Sequence, residues 1–325
     1  MQQGTKKKIF LILKIFAGLA LFYILASRLL KEFEQFDWEL MRKKISSTTS
    51  ILIFFVTVLL MLINWFLESI KWKTIISENL VKMNYFTAFK SVLSGVAFGN
   101  LAPGRATEFA GKIIFIPSEH RGTATYLHFV NGIIQLLITI VVGIFSIFLM
   151  INSNPSFKSG FSVYALSASF VLILLIGALL YKPSWFYSVL QKNKTIKKHL
   201  AEKIQLSSVT LLKLTAYSIL RYIVFSLQFY FLILVFFDTT PLMEVCLGIG
   251  VYYLLTTIIP MFSAIEAFMR GGIAVLVFTQ AEPSTVNILS ASTFLWIINI
   301  VIPSVIGYLF FLFLRNSGKT NNEYD

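Results

Sequence analysis

Long unbroken apolar stretches dominate this sequence and leave few folds open to it. Six of them are long enough to cross a membrane as helices, at residues 9–27, 49–67, 123–151, 162–181, 208–237 and 286–314. A helix needs about 20 predominantly apolar residues to cross the hydrocarbon core of a bilayer. The sequence therefore predicts an all-α polytopic membrane protein with about six full spans.

The composition of the 325-residue chain excludes a soluble fold. Apolar residues make up 57% of the chain and charged residues only 13%, whereas about 25% of the residues in an ordinary soluble domain are charged. A soluble protein of this length could not bury so much apolar surface. The formal net charge of +13 then reflects basic loops that meet anionic headgroups, and we expect no nucleic-acid partner.

No motif for bond chemistry or metal binding stands out. The chain has one cysteine, and it lacks a Walker A sequence, paired metal-ligand spacings and a nucleophile elbow. We therefore expect no metal, no cofactor and no catalytic residue, and we interpret the protein as something other than an enzyme.

Two further apolar stretches are each interrupted by a proline. The first covers residues 84–116 with Pro103-Gly104-Arg105 inside it, and the second covers residues 241–280 with Pro260 inside it. Irregular backbone is not tolerated where it faces lipid. We interpret both stretches as re-entrant or broken helix pairs, with the helix breaks at Pro103, Gly104 and Pro260.

The two interrupted stretches match each other in spacing, which indicates an internal duplication. Nineteen positions separate Asn84 from Pro103, and nineteen separate Pro241 from Pro260. After each proline, a glutamate precedes a basic residue by four positions. We predict one integral membrane domain over residues 1–325, with repeat 1 at about 9–151 and repeat 2 at about 162–314 in inverted orientation, as in many transporters.

Loop charges predict the orientation in the membrane. Six lysines lie between residues 182 and 203, and basic residues flank both ends of the chain. Since cytoplasmic loops carry an excess of Lys and Arg, we expect a multi-pass protein of the cell inner (plasma) membrane with both termini cytoplasmic. Residues 28–44 do not fit this scheme, because five basic residues fall in a loop that it places outside.

Charged side chains next to the first break form the strongest candidate site. Ionisable groups inside apolar segments are costly unless they are paired or wet, so each is a functional hypothesis. Asn100, Arg105, Glu108 and Lys112 lie within thirteen residues. We expect a new helix to start near Arg105, whose planar fork suits phosphate, with Glu108 and Lys112 pairing and leaving Arg105 free. The alternative is that Arg105 and Glu108 neutralise each other and pin the hairpin.

Other intramembrane charges are weaker candidates. Glu266 and Arg270 follow the second break with the same spacing of four, either as a binding site or as a structural ion pair. Arg221 lies in the middle of a span and needs a partner, for which Glu266 and a lipid phosphate are the candidates. We interpret Glu68 and Lys71 as an ion pair at the membrane interface.

Short motifs around these residues resemble the transmembrane (flippase) region of lysylphosphatidylglycerol synthases. Residues 100–112, with the pattern Asn-x-x-Pro-Gly-Arg-x-x-Glu, are similar to its first signature, and residues 64–72 are similar to the end of its second helix. Residues 259–266, followed by Trp296, Asn299, Pro303 and Gly307, resemble its second signature. The similarity runs from about residue 10 to residue 314. Residues 261–264 depart from it, since members often carry a glycine-rich turn there.

The resemblance implies a lipid-binding membrane protein that moves a phospholipid or polyprenyl-phosphate lipid between leaflets. Arg105 and Arg270 would bind the anionic phosphate headgroup. Glu108 and Glu266 would orient those cations or accept a cationic group of the headgroup. We expect no lysyl transfer, because the sequence shows no soluble aminoacyl transferase segment.

Two alternatives differ from a flippase in class. One is a secondary carrier of a small anionic solute, coupled to protons through Glu108 or Glu266. The other is a membrane scaffold for a lipid- or glycan-modifying enzyme, docked on the loop at 182–203. A homo-oligomer or an unidentified enzyme partner is compatible with each of the three hypotheses.

Overall fold

A computed structural model describes residues 38–153 and 204–317, except for residues 101, 103–104, 205, 238–241, 260, 262–264, 280 and 283. Every regular element in these ranges is helical. The spans predicted at 9–27 and 162–181 lie outside the described residues, as do Pro103, Gly104 and Pro260.

The described residues form ten α-helices. In chain order they are α1 Trp38–Ser46, α2 Thr48–Asn79, α3 Tyr85–Gly99, α4 Glu108–Ile113, α5 Arg121–Ser153, α6 Ser208–Phe236, α7 Leu242–Ile258, α8 Glu266–Phe278, α9 Thr285–Trp296 and α10 Ile302–Ser317. A short 3-10 turn at Ser118–His120 precedes α5, and a π-helical turn at Ile297–Val301 joins α9 to α10.

Four helical segments are long and apolar enough to cross a membrane, which confirms four of the predicted spans and the all-α membrane fold. They are Thr48–Asn79, Ser118–Ile151, Ser208–Phe236 and Thr285–Leu312. The first of these helices begins directly after Ser47, whose side chain accepts a hydrogen bond from the Ser50 backbone N–H at 3.1 Å and so caps the helix. It continues to Asn79, past the predicted end at residue 67. Glu68 and Lys71 therefore lie inside the helix and not at its end.

The centre of the protein is an antiparallel pair formed by α2 and α6. At one end, the Lys44 ammonium donates a hydrogen bond to the Phe236 carbonyl at the last residue of α6. At the other end, the Thr210 hydroxyl near the start of α6 donates to the Glu78 carboxylate near the end of α2. Helices α5 and α9 pack against this pair, so the buried apolar core surrounds it.

The helices are interrupted at both predicted places. Helix α3 ends at Gly99 and α4 begins at Glu108, while α7 ends at Ile258 and α8 begins at Glu266. The first new helix begins at Glu108, three residues after Arg105, near which the sequence predicted its start. Arg105 itself has a left-handed backbone with φ 57°. The Thr107 hydroxyl donates to the Phe98 carbonyl at 2.5 Å, which holds this segment against the end of α3. Re-entrance into the membrane and the inverted repeat stay predictions.

Small residues let two pairs of helices approach very closely. A Cβ on Gly307 of α10 would overlap the Leu93 carbonyl of α3, and the Ser94 hydroxyl donates to the Gly307 carbonyl at 3.2 Å. A Cβ on Gly250 of α7 would overlap the Ser146 hydroxyl of α5. Close backbone approach of this kind is a main source of helix association in membranes. The first helix of each interrupted stretch thus packs against a long helix from the other half of the chain.

We predict that Gly307→Ala lowers the free energy of unfolding by about 1–3 kcal/mol, since the Leu93 backbone cannot move aside as a flexible side chain would. The thermal unfolding midpoint of the detergent-purified protein measures this. Gly132→Ala is the matched control, because nothing lies within 4 Å of a Cβ at Gly132. There, alanine should be neutral or should stabilise the helix by up to about 1 kcal/mol. Equal losses in the two variants would contradict the prediction.

Candidate functional site

Glu68 lies at the centre of a buried group of charged side chains. Its carboxylate is 2.9 Å from Lys112 Nζ and 3.5 Å from Lys71 Nζ, and it also pairs with Arg221 Nη1. The exposed fraction of these side chains is 6% for Glu68, 1% for Lys112 and 0% for Lys71. One carboxylate therefore holds cations from α2, α4 and α6 where water does not screen them.

Amide side chains complete the coordination of this group. Asn131 on α5 donates from Nδ2 to Glu68 Oε1 at 3.0 Å. Arg221 donates from Nε to Asn64 Oδ1 at 3.0 Å and from Nη1 to Gln135 Oε1 at 3.4 Å. We call the whole set the Glu68 cluster, and it consists of Asn64, Glu68, Lys71, Lys112, Asn131, Gln135 and Arg221.

A short chain of ion pairs connects the Glu68 cluster to Arg105. Lys112 Nζ also lies 3.1 Å from Glu108 Oε1, and Glu108 Oε2 lies 3.4 Å from Arg105 Nε. The predicted pairing of Glu108 with Lys112 is confirmed, but Arg105 is not left wholly free, since it contacts Glu108. Arg105 Nε and Nη2 are buried without a hydrogen-bond partner among the described residues. The guanidinium can therefore still donate to a ligand.

Positive charge exceeds negative charge in this linked group. Counted by formal charge, four basic side chains face two carboxylates, so two formal positive charges are in excess. The six residues are Arg105, Lys112, Lys71, Arg221, Glu68 and Glu108. Lys71 Nζ is held less closely than the other cations, at 3.5 Å from Glu68 Oε2. Because an uncompensated cation is costly inside a membrane, the group favours an anion as its further partner.

Asn100 fixes the end of α3 beside this group. Its Nδ2 donates to the Ser304 hydroxyl of α10 at 2.6 Å, while its Oδ1 is buried without a hydrogen-bond partner in the described part of the chain. The Arg105 side chain also lies against the end of α3, since a Cβ on Gly99 would be only 3.2 Å from Arg105 Nε. The structure thus brings Asn100, Arg105, Glu108 and Lys112 together as the sequence predicted.

Glu266 and Arg270 form a separate pair. Arg270 Nη2 lies 2.8 Å from Glu266 Oε1, and Arg270 Nε donates to the same oxygen at 2.9 Å. Between the described residues, no ion pair joins this pair to the Glu68 cluster. Of the two partners suggested for Arg221, Glu266 is therefore wrong, since Glu68, Asn64 and Gln135 hold the guanidinium.

The interpretation of Glu68 and Lys71 as an interfacial pair is also wrong. Both side chains are buried, and Glu68 is the residue on which the group depends. Asn64, Glu68 and Lys71 fall at i, i+4 and i+7, so they share one face of α2. That polar face inside an apolar helix is the signal by which the sequence could have revealed the cluster.

Trp72 and His128 form the wall next to the ammonium group of Lys112. Lys112 Nζ lies 5.5 Å from the Trp72 ring centroid, and the His128 ring meets the Trp72 ring edge-on. Ser91 accepts from Trp72 Nε1 at 2.9 Å and donates to the Lys112 carbonyl at 2.8 Å. These contacts position Lys112 rather than supply metal ligands, and the described residues contain no His, Cys, Asp and Glu group that could hold a metal ion.

One protein family matches most of the chain. The family model described as the lysylphosphatidylglycerol synthase TM region matches residues 11–265. The chain belongs to this family. Together with the apolar spans, that membership makes it an integral membrane protein. None of the curated proteins matches the chain.

The matched range of the lysylphosphatidylglycerol synthase TM-region family contains the whole Glu68 cluster together with Arg105 and Glu108. It stops immediately before Glu266, so Glu266 and Arg270 lie beyond it, as do Trp296 and the later motif residues. The match therefore ends earlier than the similarity to about residue 314 that the motifs indicate.

We predict that Glu68→Gln lowers the free energy of unfolding by about 3–5 kcal/mol, because it leaves buried cations without their counter-charge. Thermal unfolding in detergent measures the loss. Glu39→Gln is the control, since Glu39 pairs with Lys43 on the surface, where the two side chains are 78% and 72% exposed, and such pairs contribute about 0–1 kcal/mol. Adding Lys71→Met to Glu68→Gln should restore part of the loss. Equal midpoints for the two single variants would contradict the prediction.

Proposed function

We propose that this protein binds the phosphate group of a membrane lipid at Arg105 and carries that lipid between the leaflets of the cell inner membrane. It would act as a flippase or translocase of a phospholipid or a polyprenyl-phosphate lipid, with both termini in the cytoplasm. The observation that carries the proposal is the excess of positive charge in the group that links Arg105 to the Glu68 cluster.

Arg105 has the properties that a phosphate contact needs. Its side chain is 26% exposed, so a ligand can reach it, and its buried Nε and Nη2 have no hydrogen-bond partner among the residues described. A guanidinium binds phosphate oxygens through parallel N–H bonds. The left-handed backbone at φ 57° costs of the order of 1–3 kcal/mol in a residue other than glycine. Retained strain of this kind supports a functional role for the position of this side chain.

An apolar surface next to α4 supports a lipid as the ligand. Phe109 of α4 contacts Phe129 of α5 with ring centroids 6.2 Å apart, and Phe129 is 52% exposed. Ile133 and Leu136 are exposed further along the same helix. A phosphate at Arg105 could therefore leave its acyl or prenyl chain against α5, in the hydrocarbon.

The other charged residues of the group have supporting roles in this proposal. Glu108 orients the Arg105 guanidinium, and Lys112 ties Glu108 to Glu68. Arg270, held by Glu266, offers a second cation. The proposed activity moves a lipid without breaking a bond, so no residue has a catalytic role and no cofactor is required.

Mass spectrometry of lipids retained on the gently purified protein tests the binding step. The comparison uses wild type, Arg105→Ala and Arg42→Ala, in which an exposed arginine of α1 is removed as the control. Wild type and Arg42→Ala should be enriched in one class of phosphate-bearing lipid. Arg105→Ala should retain at least about tenfold less of this lipid than wild type, because hydrogen bonds to a charged group contribute about 1.5–3 kcal/mol. Bulk lipid alone in all three proteins would argue for the solute carrier or the scaffold.

Arg105→Gly separates binding from stability. Glycine adopts a left-handed backbone without strain, so this variant should unfold at the same temperature as wild type or higher, and yet it should lose the enriched lipid. A lower midpoint together with retained lipid would contradict both the strain and the phosphate contact.

Reconstituted vesicles test movement. A fluorescent analogue of the retained lipid should exchange between leaflets faster in vesicles with wild type than in vesicles with Arg105→Ala, as measured with a membrane-impermeant quencher. A solute flux that follows a pH gradient, without any lipid exchange, would favour the secondary carrier instead.

A further inference from the structure

Buried hydroxyl groups follow one face of α6 from the Glu68 cluster toward the pair of Glu266 and Arg270. Ser218, Tyr222 and Ser226 are spaced four residues apart, which places them along one side of the helix. Their hydroxyl oxygens are buried, the Tyr222 and Ser226 hydroxyls face each other, and within the described ranges none of the three donates to a backbone carbonyl. We call these three residues, together with Tyr253 of α7, the α6 track.

Other hydroxyls in the described helices donate to their own backbone. Thr57, Ser69 and Ser146 each donate to the carbonyl four residues earlier, at 2.8, 2.7 and 2.9 Å. Serine and threonine hydroxyls in membrane helices commonly make this hydrogen bond. Ser218 and Ser226 do not make it, although it would satisfy a buried hydroxyl at little cost in geometry. Their orientation is explained if a polar group passes along this face.

A cation lies at each end of the α6 track. At the first end, Arg221 of the Glu68 cluster is next to Tyr222 in the sequence, and Gln135 donates to the Ser218 carbonyl at 3.3 Å. Toward the second end, the Tyr222 ring lies 6.2 Å from the Tyr253 ring, whose hydroxyl donates to the Phe225 carbonyl at 2.7 Å. Helix α8, which carries Arg270, packs against α7, which carries Tyr253.

We propose that the α6 track conducts the lipid phosphate between a first binding position at the Glu68 cluster and a second one at Arg270. This inference rests on the proposed function and deepens it, because it assigns the path of the headgroup. Hydroxyl groups donate to phosphate oxygens more weakly than a guanidinium does. They therefore offer the phosphate successive partners between the two arginines without holding it.

Cysteine labelling tests whether a small anion reaches the track. The background is Cys246→Ser, which removes the exposed native thiol. Ser226→Cys is compared with Leu232→Cys, a fully buried apolar position on the same helix, in lipid nanodiscs with a negatively charged methanethiosulfonate reagent. Since a charged reagent enters a dry apolar site only at a large cost, Ser226→Cys should react at least roughly tenfold faster. Equal rates would overturn the proposal.

Arg270→Gln tests the second binding position. Added to Ser226→Cys, it should slow the anionic reagent several-fold and leave the rate of a neutral methanethiosulfonate unchanged. A rate that does not depend on Arg270 would overturn the second position.

Tyr222→Phe tests conduction without changing packing. This variant should slow leaflet exchange several-fold while the lipid retained through Arg105 stays at the wild-type amount. Unchanged exchange would overturn the track and leave the proposed function standing. Selective labelling of Ser226→Cys in a protein that retains and exchanges no phosphate lipid would instead overturn the lipid assignment in both proposals.

Discussion

The carboxylate of Glu68 is the interaction on which the arrangement of the central helices depends. Cations from α2, α4 and α6 converge on it, and an amide from α5 joins them. Inside a membrane, no water is available to replace a lost partner, so each of these groups must stay with the partner it has. The same convergence sets the chemistry of the site. Since one carboxylate cannot neutralise three cations, positive charge remains to act on an anion.

The two interrupted stretches differ in charge, although their sequences share a spacing. Near the first break, the ion pairs extend from Arg105 to Arg221 and leave cations in excess. Beyond the second break, one cation, Arg270, faces one carboxylate, Glu266. In the proposed function, we therefore expect a phosphate to be attracted more strongly to the first group than to the second. Unequal affinities of this kind would allow the phosphate to leave one position for the other.

Local sequence patterns predicted the elements of the fold but not the partners in the site. The apolar lengths of four spans, the two helix breaks and the pairing of Glu108 with Lys112 depend on neighbours in the sequence, and the structure agrees with them. The role of Glu68 depends on helices that converge in space, with Arg221 more than 150 residues away in the chain. The left-handed Arg105 likewise depends on contacts of the segment around it with Phe98 and Ser304.

The glycine contact between α3 and α10 has a mechanical consequence. Backbone meets backbone at Gly307 and Leu93, so no side chain is available there to change rotamer and absorb a displacement. The crossing of α5 and α7 is similarly tight, although there Gly250 meets the side chain of Ser146. We therefore expect the two helices of each pair, although distant in the chain, to move as one unit. A displacement of the broken end of α3 would then also displace α10.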